Sequence, residues 1–263
     1  MGKIILTEEE KVLSARVGDL LKKSINENSP AFSDFLSDRE RAIVLQTASE
    51  LSASDRVITF GGFETAERTI AGFFPEYSVY MEKDDLHSLF PITALKIECS
   101  GFREHSHRDF LGSILGLGIE RFVTGDIIVS DKGYGAIVFV HEKISDFLLE
   151  NLKLIGRDGV KVSRCTDLKT IDTEKSFQAI NGTVASLRID ALLSEVLNIS
   201  REKATRLVES GFVTVNHAQV QSKSEEISEG DIITAKGFGK YKLTKIGDSN
   251  RKGRIRFKVD KYV

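Results

Sequence analysis

Cysteine is scarce in this chain of 263 residues, which has only Cys99 and Cys165. Two thiols supply neither a disulfide framework nor a set of metal ligands. Both fall in strand-like runs, where a buried, reduced thiol is expected. Long apolar runs are missing as well. Stretches such as Ala136 to Val140 fall far short of the roughly 20 residues that span a bilayer, so no membrane segment is expected. Met1 to Leu20 alternates charged with apolar side chains where a signal peptide would be uniformly apolar, and a cytoplasmic protein is expected.

Catalytic signatures are equally thin. His107-Arg108-Asp109 matches a kinase catalytic triplet, but the downstream Asn, the Asp-Phe-Gly and the glycine-rich nucleotide loop are lacking. Gly112, Gly116 and Gly118 fall short of a dinucleotide fingerprint and fit close helix packing better. His105 and His107 have no third ligand, which leaves them surface or helix-capping roles. With no convergence of nucleophile, base and cofactor loop, the chain reads as a non-enzyme that needs no cofactor and no metal.

What is present is an ordinary globular composition, 41% hydrophobic, enough for a sizeable core and, at this length, two or three domains. The net charge of −2 hides an imbalance: residues 1–181 hold 22 Lys+Arg against 29 Asp+Glu, and residues 182–263 hold 15 against 10. From Ile232 onward ten basic residues face only Asp248 and Asp260. A basic end on an acidic body suits a polyanion-binding appendage. The competing explanation is a strand-rich tail whose lysines keep a sheet edge from aggregating.

Along the chain, Thr7 followed by Glu8, Glu9 and Glu10 caps a helix that Asn28-Ser29-Pro30 stops. A second helix is expected from Asp38 to about Ser52, a strand from Arg56 to Phe60, a turn at Gly61-Gly62, and a helix from Glu64 to Phe73. The middle third reads strand (Ile92 to Cys99), helix (Asp109 to Leu117), strand (Asp126 to Val129), strand (Ala136 to Val140), helix (Lys143 to Leu152), strand (Val160 to Cys165). That βαββαβ order is the ferredoxin-like plan shared by RNA-recognition motifs. The run Lys132-Gly133-Tyr134-Gly135-Ala136-Ile137-Val138-Phe139, taken as the start of the third strand, fits the RNA-recognition signature at five of its seven specified positions. Ala136 replaces an aromatic and the first strand has none, which leaves Tyr134 as the stacking platform. The layer either touches RNA, through Tyr134, Lys132, His107 and Arg108, or serves as a packing module. Polar residues between Asp167 and Gly182, with a turn signal at Asn181-Gly182, mark a domain boundary.

Beyond it Ile189, Leu192, Leu193, Val196 and Leu197 form one helical stripe, with Ser186 as cap and Arg188 at the edge of the buried face. Ser200 caps a second helix that buries Ala204, Leu207 and Val208, exposes Arg201, Lys203 and Arg206, and ends at Gly211. A hairpin follows around Asn216-His217, then a strand from Asp231 to Thr234. Two short basic helices on a small sheet suit the gripping of a phosphate backbone.

The runs Leu187-Arg188-Ile189-Asp190-x-x-Leu193, Ser200-Arg201-x-x-Ala204-x-x-Leu207-Val208 and Gly211-x-Val213-x-Val215-Asn216 resemble the S-four (alpha-L) RNA-binding family. The resemblance makes Arg188, Ser200, Arg201, Lys203, Arg206 and Asn216 the leading RNA contacts, joined by Lys240 in the basic end. His217 stands where that family usually has Gly. Arg188-Ile189-Asp190 also matches the Arg-x-Asp of pseudouridine synthases, but there the S-four unit usually precedes a large catalytic domain. Over the whole chain, with His107-Arg108-Asp109-Phe110-Leu111-Gly112, Gly125-Asp126-Ile127 and Gly237-Phe238-Gly239-Lys240-Tyr241, the sequence resembles the YlmH family of bacteria.

The resemblance implies an α+β chain: a mostly helical unit over residues 1–75, a ferredoxin-like domain over 76–170 and an S-four domain over 183–263. It also implies a ribosome-associated quality-control factor, also called RqcP. Such a factor binds large-subunit ribosomal RNA with peptidyl-site tRNA and supports a partner, RqcH, in adding C-terminal alanine tails to stalled chains. The alternatives are an RNA-modifying enzyme that uses the S-four domain for delivery and a structural protein of cell division.

Overall fold

A computed structural model of the chain describes residues 6–101, 103–130, 132–165, 177–216, 218–220, 222–250 and 252–262. The described residues form two compact units, one over residues 6–165 and one over residues 177–262.

The first unit begins with α1 (Glu8–Glu27). Thr7 and Glu10 form a reciprocal capping box at its start, and Asn28, at φ 47°, turns the chain at its end. β1 (Ala31–Leu36) leads to α2 (Asp38–Glu50), which has its own capping box of Ser37 and Glu40. β2 (Val57–Phe60) and β3 (Thr69–Phe73) complete an antiparallel sheet in the order β1-β3-β2. Val17 and Leu21 of α1 and Val44 and Ala48 of α2 pack on Ala31, Leu36, Ala71 and Phe73 of this sheet.

The helix expected over Glu64 to Phe73 does not form. Thr69–Phe73 is instead the central strand, with all five residues buried. A strand covered on both faces shows no polar alternation, so its apolar run passed for a helical stripe. β1 leaves no clear alternation in the sequence for the same reason: four of its six residues are buried.

Helix α3 (Lys83–Ser88) precedes the βαββαβ layer. That layer comprises β4 (Ile92–Cys99), α4 (His107–Leu115), β5 (Thr124–Val129), β6 (Gly135–His141), α5 (Glu142–Asn151), the two-residue β7 (Leu154–Ile155) and β8 (Asp158–Arg164). The antiparallel order β5-β6-β4-β8-β7 is the ferredoxin-like order with β7 added at one edge. Phe110, Ile114 and Leu148 of the helices pack on Leu95, Ile97, Val138 and Val140 of the sheet.

Arg68 joins the two sheets of this unit. Its guanidinium donates to the carbonyls of Thr124 (2.9 Å), Phe35 (3.0 Å) and Arg121 (3.2 Å). Asp126 accepts from the backbone N–H of Glu67 (2.6 Å) and Arg68 (3.1 Å). Burial pushes the Arg68 guanidinium below its usual range, with Glu40 and Asp126 opposing.

Glu10 also ties α1 to α2 by pairing with Arg39. The hydrogen bond from Arg39, more than the opposing burial, holds its carboxyl down at about 2. A depressed carboxylate contributes stability above the unfolded value near 4.3 and loses it as pH falls toward the folded value. Glu10→Gln should therefore cost about 1 kcal/mol at pH 7, since the pair is partly solvated. The difference from wild type should shrink on acidification from pH 4.5 to 2, as read by urea denaturation at each pH. A difference independent of pH would exclude the pair as its source.

The second unit contains β9 (Phe177–Val184), α6 (Ile189–Val196), α7 (Arg201–Glu209), β10 (Val213–Val215), β11 (Ala218–Gln219), β12 (Ile232–Ala235), β13 (Gly239–Ser249) and β14 (Ile255–Tyr262). The strands form one antiparallel sheet, ordered β11-β10-β12-β13-β14-β9. Ile189, Leu192, Leu193, Ala204 and Val208 of the helices share a core with Val213, Ile233, Leu243, Phe257 and Val259 of one sheet face.

The turn expected at Asn181-Gly182 is not one, because both residues lie inside β9, opposite Lys258 and Phe257. Gly182 signals a close approach: a Cβ there would stand 2.6 Å from the Phe257 ring. His217 and most of the Asp167 to Gly182 stretch lie outside the described residues.

Candidate nucleic-acid interface

The α6 and α7 face is organised by a buried acid. Asp190 sits in the first turn of α6 with its side chain 4% exposed, and it accepts from two arginines. Arg188 donates through Nε (3.2 Å) and Nη2 (3.1 Å), and Arg201, the first residue of α7, through Nε (3.2 Å) and Nη2 (3.5 Å). Burial alone would raise the Asp190 carboxyl, but the hydrogen bonds and charges of Arg201 and Arg188 hold it below its usual range. The guanidinium groups are not buried with it: Arg188 is 36% and Arg201 55% exposed. Each arginine has five donors, so donors remain for an anion approaching from solvent.

Ser186 is not the cap of α6. Arg188 holds that position and makes no side-chain cap bond. Its register is fixed instead by the following segment: Glu225 and Lys223 accept through their carbonyls from the N–H of Ile189 (2.9 Å) and Asp190 (3.3 Å). Ser200 caps α7 as expected, its hydroxyl accepting from the N–H of Lys203.

The other expected contacts divide. Lys203 is exposed and has no ion-pair partner among the described residues, whereas Arg206 pairs with Glu202 one turn back. Asn216 turns the hairpin at φ 47°. Its side-chain N–H donates to Asp231 (2.7 Å) and its carbonyl accepts from the N–H of Ile232 (3.0 Å), so both ends of the amide hold the hairpin on β12. Lys240 lies on β13 over the ring of Tyr262 (5.2 Å), outside the α6–α7 face. Two residues went unnoticed in the sequence. Asp190 reads as an ordinary first-turn acid until its burial is known, and Phe212, 45% exposed under Lys236 (5.2 Å), offers a ring to a base.

In the βαββαβ layer, Lys132 and Tyr134 precede β6, which starts at Gly135, so the signature begins in a turn and not in the third strand. Gly133, at φ 65°, shapes that turn, and its carbonyl accepts from the N–H of His105 (2.9 Å), which brings the turn beside the loop that leads to His107 and Arg108. His105 is neither a surface residue nor a cap. It is 4% exposed and hydrogen-bonded to Asp158 (2.8 Å). Nor does His107 cap α4: it is the first helical residue, and the Ser106 hydroxyl and N–H both donate to Asp109.

The open sheet face offers no aromatic platform among the described residues. Phe139 is buried against Phe63 (4.9 Å), and a Cβ on Gly62 would meet its ring at 2.2 Å. Lys96 and Glu98 on the same face neutralise each other (2.7 Å). Tyr134, 38% exposed, stands at the margin. Cys99 and Cys165 are half-buried, less enclosed than expected, and burial raises the Cys99 thiol.

Comparison with known proteins gives these elements a family. Residues 87–169 match the family described as "Putative RNA-binding domain in YlmH", and residues 187–233 match the S4 domain. The chain is 32% identical over 226 residues to "Ribosome-associated protein quality control protein P2" of Bacillus subtilis, covering 85% of this chain and 84% of that one. The chain belongs to the YlmH family. Among solved structures, "Cell division protein ylmH from Streptococcus pneumoniae" superposes with a TM-score of 0.53 at 21% identity, over 65% of this chain and all of that one; the likeness is one of fold. The YlmH-specific match takes in β4, α4, β5, β6, α5, β7 and β8, and the S4 match runs from Leu187 to Ile233, which includes Asp190 and both of its arginines. β9, β13 and β14 lie outside both matched stretches.

Proposed function

We propose that this member of the YlmH family is a non-enzymatic RNA-binding factor of ribosome-associated quality control. Its S-four domain grips large-subunit ribosomal RNA together with peptidyl-site tRNA, in support of an RqcH-type partner that extends stalled chains with alanine. The observation that carries this reading is the Asp190-centred pair, in which one buried carboxylate orients two half-exposed guanidinium groups at the start of two helices. Planar, pre-oriented arginines are suited to bidentate phosphate contacts. The name of the Bacillus subtilis relative supports the setting, and the YlmH match supports RNA as the ligand of the middle layer. There the Lys132–Tyr134 turn and the start of α4 form the second contact in place of a stacking sheet.

If about five phosphates are engaged, log affinity for ribosomal RNA falls with log salt at a slope near −4. Arg188→Ala combined with Arg201→Ala flattens that slope by about 2, and in a sucrose gradient the variant moves from the large-subunit fractions to the top. A variant that still co-sediments would refute the assignment of the site. A change in nucleoside mass after incubation with bulk ribosomal RNA and tRNA would show an enzyme in place of a binding factor.

A further inference from the structure

Strands β13 and β14 carry Lys240, Lys242, Lys245, Arg256, Lys258 and Lys261 against two acids, Asp248 and Asp260, and the other four strands of the sheet hold no acid. Alternation sorts these cations by face. Tyr241, Leu243, Phe257 and Val259 point into the core shared with α6 and α7. Lys242, Arg256 and Lys258 alternate with these residues and project from the opposite face; a register shift after Leu243 turns Lys245 to that face as well, opposite Lys258, and all four are exposed.

Protection of an edge does not account for them. β14 is paired on both sides and β13 pairs with β12 from Gly239 to Lys242, so blocking an open edge accounts for none of Lys242, Arg256 and Lys258; beyond Lys242 the other side of β13 is met by Glu229, which accepts from the N–H of Ile246 (2.8 Å). The pairing itself is unfavourable in one place. Lys245 lies directly opposite Lys258, and like charges in that position weaken a sheet. Only Lys242, opposite Asp260, has an acid across from it, and Asp260 also pairs with Lys258 at 3.7 Å. Two lysines facing each other across paired strands are an arrangement that a polyanion relieves.

We infer that the outer face of β13 and β14 is a second RNA-backbone surface, on the side of the unit opposite the Arg188–Arg201 pair, so that one domain holds two RNA segments at once. This rests on the proposed RNA-binding role and extends it: the strands lie outside the S4-matched residues. Neutral polar residues, Asn181 and Thr183 of β9, continue the face beside Lys258 and Arg256. A surface of separated cations contacts phosphates without regard to sequence.

The test uses the full chain and a short double-stranded RNA hairpin as probe, in two batches bearing donor and acceptor dyes. Wild type should bind two hairpins per chain by native mass spectrometry and bring the dyes together at substoichiometric protein. Lys242→Gln, Lys245→Gln and Lys258→Gln combined should bind one hairpin, abolish energy transfer and lower the salt slope of total binding by about 2 to 3. Arg188→Ala with Arg201→Ala should also bind one, at the remaining face, whose sequence-independent contact is too weak by itself to hold the chain on the large subunit through a gradient. An unaltered melting temperature for the triple variant, whose substitutions remove a repulsive pair, would separate lost binding from lost fold. Saturation of wild type at one hairpin, or two hairpins still bound by the triple variant, overturns the second surface and leaves the sheet face to an acidic protein segment. Failure of wild type to bind any hairpin would overturn the underlying RNA-binding role as well.

Discussion

Asp190→Ala should lower the melting temperature of the C-terminal unit by about 10 °C and weaken RNA binding about tenfold near physiological salt, although it makes the surface more positive by one charge. The stability loss follows from four charge-assisted hydrogen bonds converging on a carboxylate whose side chain is 4% exposed. With both arginines able to fall back on water, about 2 kcal/mol is expected, less than for a fully buried pair. A unit of this size loses roughly 4 to 8 °C per kcal/mol. The loss of affinity follows from pre-organisation, because without Asp190 each arginine must be ordered at the moment of binding. The two contributions separate in a salt titration: the slope should hold or steepen while affinity at about 150 mM salt drops. Tighter binding at every salt concentration would show that Asp190 acts only as an opposing charge. Because its carboxyl is held low, its contribution to stability is present at neutral pH and lost as pH falls below the usual aspartate range, near 3.9. Wild type and variant should converge in stability there.

Arg68→Met should destabilise the first unit by about 3 kcal/mol, or roughly 6 to 12 °C for a unit of this size. Methionine fills the volume of the stem but donates no hydrogen bond, which removes a donor from the carbonyls of Thr124, Phe35 and Arg121 and strands part of that polar surface away from water. Hydrogen exchange should speed up at the amides of β1, β3 and β5 while β13 and β14 keep their protection. Uniform acceleration through both units would contradict a local role. Arg68→Lys should recover little, because an ammonium cannot span three carbonyls fixed by different elements.

The helices of this protein were largely legible in its sequence, and their caps show why. Thr7 with Glu10, Ser37 before Asp38 and Ser200 before Arg201 are local signals, read within one turn of backbone. The βαββαβ order was legible for a related reason, since each strand has one face on the α4–α5 core and keeps its alternation. Failures gathered where burial is two-sided or pairing is distant. Thr69–Phe73 reads as a helix because both of its faces are buried, Ala71 and Phe73 in the core with α1 and α2, and Ile70 in the cluster of Phe74, Leu86 and Phe90. Asn181-Gly182 passed for a turn because the reason for a glycine there is Phe257, 75 positions along the chain from Gly182. His105 passed for a surface residue because its partner, Asp158, is 53 positions away.

The candidate site follows the same division. Residue types and helical spacing by themselves determined that Arg188, Arg201 and Lys203 belong to two short helices able to face an anion, and that the last third of the chain is basic. Tertiary structure alone decided that Asp190 gathers the two arginines, that the Asn216 amide is spent on Asp231 and Ile232, that Phe63 covers Phe139 on the open sheet face, and that Lys242 and Lys258 occupy paired strands on the face away from the helices. The physical reason is range. Capping and helical periodicity act over three or four residues and are written in consecutive letters, whereas the burial of a charge, the partner of an amide and the outward face of a strand depend on groups that meet only when distant segments pair.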